Sequence, residues 1–393
     1  MFMENINFNF NININTIPIF LFILIIIIFW IQFKIRNPFW SLQPVNHHHQ
    51  FWRKFQKPGV INSDFTISKF LNNMDINTKK WNTLTNEELS EFEDHIGSHF
   101  LNRKDLQYKP SKDKHIAPYF SNDDNAYTSV YRKDNILLGT ITNRTLRVHI
   151  NNESFAVSYI DYLCVHRGNR KKLIAPELIQ THEFFQRNKG EKKCLVSLFK
   201  KEGRLTNIVP LLKFSMMAYD IADLNSKLNH GYLPAGVNCV KISKSNIKLL
   251  YHFLDVIRHQ FSCFIIALPE TLLETLNNES IHIYTLIQND EIISAFFFRE
   301  TGTYSNSIKQ NVECFASLNN STDEKVFIQG FNKSLEKIKD KFNIIYIENT
   351  SHTTLLSSIT SKSSPLFTSV CAYYIYNYNS KEIKDPAQCC FLF

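Results

Sequence analysis

The chain has 393 residues, 44% of them apolar, and 44 Lys+Arg against 36 Asp+Glu give a net charge of +8. This length exceeds one hydrophobic core and predicts two fused units. The modest positive surplus, without long basic runs, excludes a nucleic-acid tail and suits a polyanionic small ligand or an acidic membrane face. The cysteines at 164, 194, 239, 263, 314, 371, 389 and 390 show no C-x-x-C pair, and the tract His47-His48-His49 lacks partner ligands. No metal site and no disulfide framework are expected.

From Ile17 to Phe33 every residue is apolar except Pro18 and Gln32, a run of about 25 Å at helical rise. It predicts a transmembrane anchor within residues 1–36. Lys34, Arg36, Pro38, Phe39 and Trp40 follow where a cleavage site would need small residues. Lys34, Arg36, Arg53 and Lys54 lie after the run and only Glu4 before it. The expectation is a single-pass membrane protein whose large C-terminal part faces the cytosol, with Trp30 and Trp40 as interfacial anchors.

Residues 37–60, with Pro38, Pro44, Pro58 and Gly59, read as a linker. Thr85-Asn86-Glu87-Glu88 is a capping box that opens a helix with Leu89, Phe92, Ile96 and Phe100 on its buried face. Tyr127–Tyr131 and Ile136–Ile141 flank Arg132-Lys133-Asp134-Asn135 as a hairpin, with Gly139 inside the second strand. A third strand is expected near Val148–Ile150, another at Ser154–Val165, and a helix over Pro176–Arg187. A helix at Ile247–Arg258, a hairpin at Ile283–Ile287 and Ile292–Phe298, a strand at Val312–Leu318, a helix at Asp323–Lys341 and a strand at Ile344–Ile347 repeat that order. The repetition predicts an α/β fold with a mixed sheet, duplicated over residues 61–220 and 221–393.

The stretch Tyr159 to Pro176 carries the most chemistry. A buried strand runs into the basic loop His166-Arg167-Gly168-Asn169-Arg170-Lys171-Lys172 and then into a helix. Backbone N–H groups, a helix dipole and added cations at one place suit a pyrophosphate; a solvated basic turn is the alternative.

Within this stretch, Leu163-Cys164-Val165-His166 with Arg170, Lys172 and Ala175-Pro176-Glu177-Leu178-Ile179 resembles the acyl-CoA-binding signature of eukaryotic N-myristoyltransferases. These belong to the Gcn5-related acetyltransferase superfamily. His49-Gln50-Phe51-Trp52, with Gln56 and Pro58 nearby, is similar to the family's N-terminal Phe-Trp segment that wraps the CoA. Tyr373-Tyr374-Ile375-Tyr376-Asn377-Tyr378 is similar to the family's closing Tyr-Tyr-Leu-Tyr-Asn-Trp, so the resemblance covers about residues 49–393.

The resemblance implies two tandem Gcn5-related acyltransferase units with a pseudo-twofold relation, the N-terminal one binding acyl-CoA and the C-terminal one the peptide. It implies a glycylpeptide N-tetradecanoyltransferase that moves a myristoyl group from myristoyl-CoA, a co-substrate, to the N-terminal glycine of a protein. Phe51, Trp52, Cys164, Val165, Arg170, Lys171, Lys172, Leu173, Ile174, Ala175 and Pro176 would then bind acyl-CoA. The backbone N–H groups of Tyr162 and Leu163, on a bulged strand, would receive the oxyanion. An α-amine with a pKa of about 8 needs a base, and the carboxylate of Phe393 takes that role by resemblance. Glu348 is a candidate for orienting the amine or a plain surface carboxylate. Neither Cys164 nor His166, although two apart, serves as a nucleophile in the family.

Some positions depart from the family. Leu173 replaces an arginine and Asp161 an asparagine. Val196-Ser197-Leu198-Phe199-Lys200 stands where Tyr-Thr-Ala-Gly receives the glycine. Asn102-Arg103-Lys104-Asp105 replaces an acidic loop, implying an acidic or neutral peptide. The alternatives are therefore a membrane-tethered homologue that binds acyl-CoA or peptide without catalysis, or a transferase for another acyl chain or amine. Cys390-Phe391-Leu392-Phe393 also fits a prenylation box, but the apolar run is expected to be buried.

Overall fold

The computed structural model describes residues 17–65, 68–101, 106–150, 152–190, 192–227, 231–305, 308–356, 360 and 363–393. The expected basic loop at residues 102–105 lies outside them. Among the described residues one sheet holds 14 strands. In chain order these are β1 (Ile76–Lys80), β2 (Tyr127–Lys133), β3 (Ile136–Ile150), β4 (Glu153–Val165), β5 (Ser197–Glu202), β6 (Leu212–Asp220) and β7 (Val237–Lys241). They continue as β8 (Cys263–Ala267), β9 (Ile281–Gln288), β10 (Glu291–Glu300), β11 (Gln310–Asn319), β12 (Phe342–Glu348), β13 (Phe367–Tyr376) and β14 (Cys389–Leu392). Across the sheet they run β14-β8-β3-β4-β5-β13-β6-β12-β11-β10-β9-β7, with β2 also on β3 and β1 on β2.

The duplication expected from the sequence is present. In each half a hairpin feeds an antiparallel third strand, β2-β3-β4 and β9-β10-β11. A helix then crosses over to a parallel neighbour, α3 (Ile174–Asn188) to β5 and α4 (Glu324–Ile338) to β12, because parallel strands cannot be joined by a tight turn. Both hairpins turn on left-handed residues, Asp134 and Asn135 at φ 51° and 62°, Asn289 and Asp290 at 51° and 65°. These side chains tolerate that conformation and match the strand twist. The halves also exchange strands: β13 lies between β5 and β6, and β8 and β14 extend the sheet from β3.

The helix opened by Thr85 is α2 (Asn86–His99), with both hydrogen bonds of the capping box formed. The strands expected at Ile136–Ile141 and Val148–Ile150 are one 15-residue strand, β3. The polar Asn143 and Thr145 do not break it because they find partners inside: Asn143 donates to the Asn125 carbonyl at 2.8 Å and the Thr145 amide donates to Asp123.

Ahead of the sheet, α1 (Ile17–Arg36) carries the apolar run. Among the described residues no helix is long and apolar enough to cross a membrane, and the side chains of residues 17 and 19 lie outside the description. The crossing expected at residues 17–33 is therefore not a feature of the described structure. What the structure holds there is an apolar helix exposed from Phe20 to Ile31. Its C-terminal end touches the body, with the Phe33 ring 5.0 Å from those of His47 and His49. At the other end of the chain, residues 389–393 are buried, β14 pairs in parallel with β8, and Phe391 stacks on Tyr373 at 4.1 Å. Each phenylalanine buried this way contributes roughly 2 kcal/mol. The Cys390 thiol is enclosed in the core, not displayed as a lipidation site.

Candidate active site

Strands β4 and β5 pair only at Ser158↔Ser197 and Tyr159↔Leu198 and then part. A cavity of about 1250 Å³ opens there, lined by β4 from Tyr159 to Val165 and by the start of α3. Two residues of β4, Tyr162 and Leu163, stand opposite the single Ile141 of β3, since Thr142 pairs with Asp161 and Thr140 with Cys164. This is a β-bulge, which re-aims backbone groups out of the ladder. Tyr162 takes φ 46°, a costly conformation for a bulky residue. Its surroundings hold it: the Tyr162 hydroxyl donates to the His115 carbonyl at 3.1 Å, and Thr140 donates to the Tyr162 carbonyl at 3.1 Å. The Tyr162 amide donates to Oδ1 of Asp161 at 2.9 Å.

Beyond β4, Lys171 and Leu173 take φ 68° and 65°, and no side chain caps the start of α3. Among the described residues the first amides of α3 thus have no capping side chain, and they lie next to the cavity with the positive end of the helix dipole. Arg170 and Arg167 clamp the loop to the end of α2, donating at 2.5 Å to the carbonyls of His99 and Leu101. Gly139 permits this packing: a Cβ there would meet Leu178 at 2.8 Å and Ile174 at 3.0 Å, both on the first turns of α3.

Of the residues expected to hold acyl-CoA, Cys164, Val165, Arg170, Lys171, Leu173, Ile174, Ala175 and Pro176 line this one cavity. Lys172 is exposed on the loop itself and is absent from the lining. Phe51 and Trp52 lie on an exposed turn outside this lining, 64% and 49% accessible, whereas Phe39 and Trp40 are part of it. Cys164 is buried, which pushes its thiol up to about 12, and the His166 ring accepts from the Gly168 amide at 3.2 Å. Neither is poised as nucleophile or base. Among the described residues no group of three or more His, Cys, Asp or Glu could hold a metal ion.

A buried charge network adjoins the cavity, and sequence reasoning missed most of it. Arg299 donates to the Phe393 oxygen at 2.7 Å and to Glu313 at 2.5 Å. Lys200 contacts Glu313 at 3.2 Å, Glu202 at 3.3 Å, and also Glu348. Burial opposes the Lys200 charge, but Glu313, Glu348 and Glu202 outweigh it and hold the ammonium well above the ordinary lysine range. Burial likewise opposes Glu313, yet Arg299 and Lys200 keep its carboxyl well below the usual range. Glu348 is fully enclosed rather than superficial, and burial pushes it up to about 8, offset in part by Lys200 and reinforced by Glu313. The available signal was a charged residue inside an otherwise apolar strand, as at Arg299 and Glu313.

Residues 76–199 match the sequence model of the myristoyl-CoA:protein N-myristoyltransferase N-terminal domain. No curated protein sequence matches the chain. A Saccharomyces cerevisiae N-myristoyltransferase structure with bound myristoyl-CoA superposes with TM-score 0.72 at 14% identity, covering 90% of each chain. Another, with myristoyl-CoA and inhibitors, gives 0.71 at 14% identity over 91% of this chain and 94% of that one. Residues 76–199 are thus similar to the N-terminal domain of myristoyl-CoA:protein N-myristoyltransferases, within a chain that has the tandem mixed α/β fold of the yeast enzymes.

Proposed function

We propose that this chain moves a myristoyl group from myristoyl-CoA to the N-terminal glycine amine of a protein. The observation that carries the reading is one cavity that joins the uncapped start of α3 and its basic loop to the bulged backbone at Tyr162 and Leu163. Arg170, Lys171 and the α3 amides receive the CoA phosphates, and the thioester carbonyl lies at the bulge. Phe39 and Trp40 close the apolar side. The glycine nitrogen attacks the thioester carbon, its proton passes to the Phe393 carboxylate, and the Tyr162 and Leu163 amides hold the oxyanion. Collapse forms the amide and releases the CoA thiolate, which regains the proton.

A binding-only homologue is the second reading, favoured by one observation: the Tyr162 amide is already engaged by Asp161. Transfer from myristoyl-CoA to a panel of N-terminal-glycine peptides, with and without Phe393, separates the two. Transfer that depends on Phe393 supports the enzyme. Binding of myristoyl-CoA with no transfer to any peptide supports the other reading.

Attachment to a membrane, with the folded part on the cytosolic side, completes the proposal. It is supported by the exposed apolar surface of α1 and by the stretch from residue 5 to 63, which has no acidic residue but contains Lys34, Arg36, Arg53, Lys54 and Lys57. Protease protection of sealed vesicles tests the sidedness: digestion of residues 76–393 from the cytosolic face is expected, and their protection would overturn it.

A further inference from the structure

Arg144 stands in the middle of β3, opposite Tyr159 of β4, and lines the cavity although only 2% exposed. Its guanidinium lies 4.8 Å from the centre of the Tyr119 ring, 5.0 Å from Tyr159 and 5.7 Å from Phe393. Nε and Nη1 have no hydrogen-bond partner among the described residues. Two other arginines of the interior are different: Arg187 pairs with Glu183 at 2.5 Å, and Arg299 with Glu313 at 2.5 Å. A guanidinium does not lose its proton in a protein, and a buried charge without a counter-charge is strongly disfavoured. Three aromatic faces offset part of that cost. A cation kept in this state in the wall of a ligand cavity is completed by an anion on the ligand.

The CoA phosphates do not supply that anion. They have their own cations at Arg170 and Lys171, beyond the end of β4, about 20 Å along the strand from Tyr159 at extended-chain rise. The bulge at Tyr162 is only about 10 Å from Tyr159, the span of three extended residues. A peptide whose glycine nitrogen reaches the bulge therefore passes Arg144 with the residues that immediately follow.

We propose that Arg144 forms a carboxylate-binding subsite for the acceptor peptide, so that this chain selects peptides with aspartate or glutamate close behind the N-terminal glycine. The proposal rests on the transferase reading for its peptide, and its test separates the two. Peptides that differ only by Asp or Asn at one position after the glycine are titrated calorimetrically into the full chain holding a non-reactive myristoyl-CoA thioether, and transfer from myristoyl-CoA is assayed in parallel. The expected result is roughly tenfold or greater preference for Asp at one position, as for a hydrogen-bonded charge. Arg144→Met abolishes the preference, Arg144→Lys keeps part of it, and Arg144→Met melts no lower than wild type because an unpaired buried charge has gone.

Equal binding of Asp and Asn peptides, or the same preference in Arg144→Met, overturns the subsite. So does a cation that serves Asp161 instead: Arg144→Met and Asp161→Asn would then be non-additive, with no peptide preference. An acid preference lost in Arg144→Met, with no transfer to any peptide, sustains the subsite and sinks the transferase reading. Transfer without any acid preference does the reverse.

Discussion

Oδ1 of Asp161 accepts a hydrogen bond from the amide of Tyr162 at 2.9 Å, so a carboxylate rests on one of the two donors proposed for the oxyanion. Turnover requires that side chain to move, and its charge opposes the developing oxyanion wherever it stays near. Asp161→Asn is expected to raise kcat on the order of tenfold, while myristoyl-CoA affinity stays within a factor of two or so. Steady-state and binding measurements on the same preparation decide it. A lower kcat for the asparagine variant would show that the carboxylate assists the reaction.

The proposed base is held by Arg299, which donates to the Phe393 oxygen at 2.7 Å and is anchored by Glu313. Deleting Phe393 should lower kcat on the order of a thousandfold, the scale of a lost general base. Arg299→Gln is the finer probe. A neighbouring guanidinium favours the ionised carboxylate, so its removal should move the acid limb of kcat/KM to higher pH. An unmoved limb means that the base lies elsewhere.

Much of this framework is legible in the sequence because it rests on short-range rules. The capping box at Thr85 and the turns at Asp134-Asn135 and Asn289-Asp290 stand where the sequence places them, and the loop from β4 to α3 brings eight expected acyl-CoA residues to one cavity. The rest depends on distant partners. No local pattern marks β13 as lying between β5 and β6, or β14 as pairing with β8. Arg144 reads locally as a strand break and becomes a cavity wall only because Tyr119, Tyr159 and Phe393 arrive from three separate segments. Phe51-Trp52 and Phe39-Trp40 have the same local grammar, and tertiary packing alone brings the second pair into the cavity wall.

Glu348 should imprint a pH dependence on stability. Its carboxyl is raised from 4.5 to about 8 by burial, so the folded state favours the protonated form. That contribution is complete below pH 4.5 and is lost as pH rises through about 8. Glu313, held low by Arg299 and Lys200, acts in the opposite sense and weakens the fold only as pH falls. Thermal unfolding of Glu348→Gln should therefore lose less Tm than wild type between neutral and alkaline pH. Parallel pH curves for the two proteins would mean that Glu348 is ionised in the folded state and paired with Lys200.

The apolar surface of α1 makes the last prediction. Ile25, Ile26 and Phe29 are 49%, 51% and 67% exposed on a helix with no acidic residue, and Lys34 reaches back over the Trp30 ring at 3.7 Å. An exposed patch of this kind needs a cover, and a bilayer suits a uniformly apolar helix with cations at its end. Lysine at positions 25, 26 and 29 should release the protein from membranes on alkaline carbonate extraction, since each such charge costs about 3 kcal/mol in a bilayer-embedded helix. Wild type should stay with the membrane, and the myristoyl-CoA affinity of the variant should match it. Wild type that is extracted as readily as the variant would mean that α1 is covered by protein instead, and size-exclusion chromatography of the two should then differ.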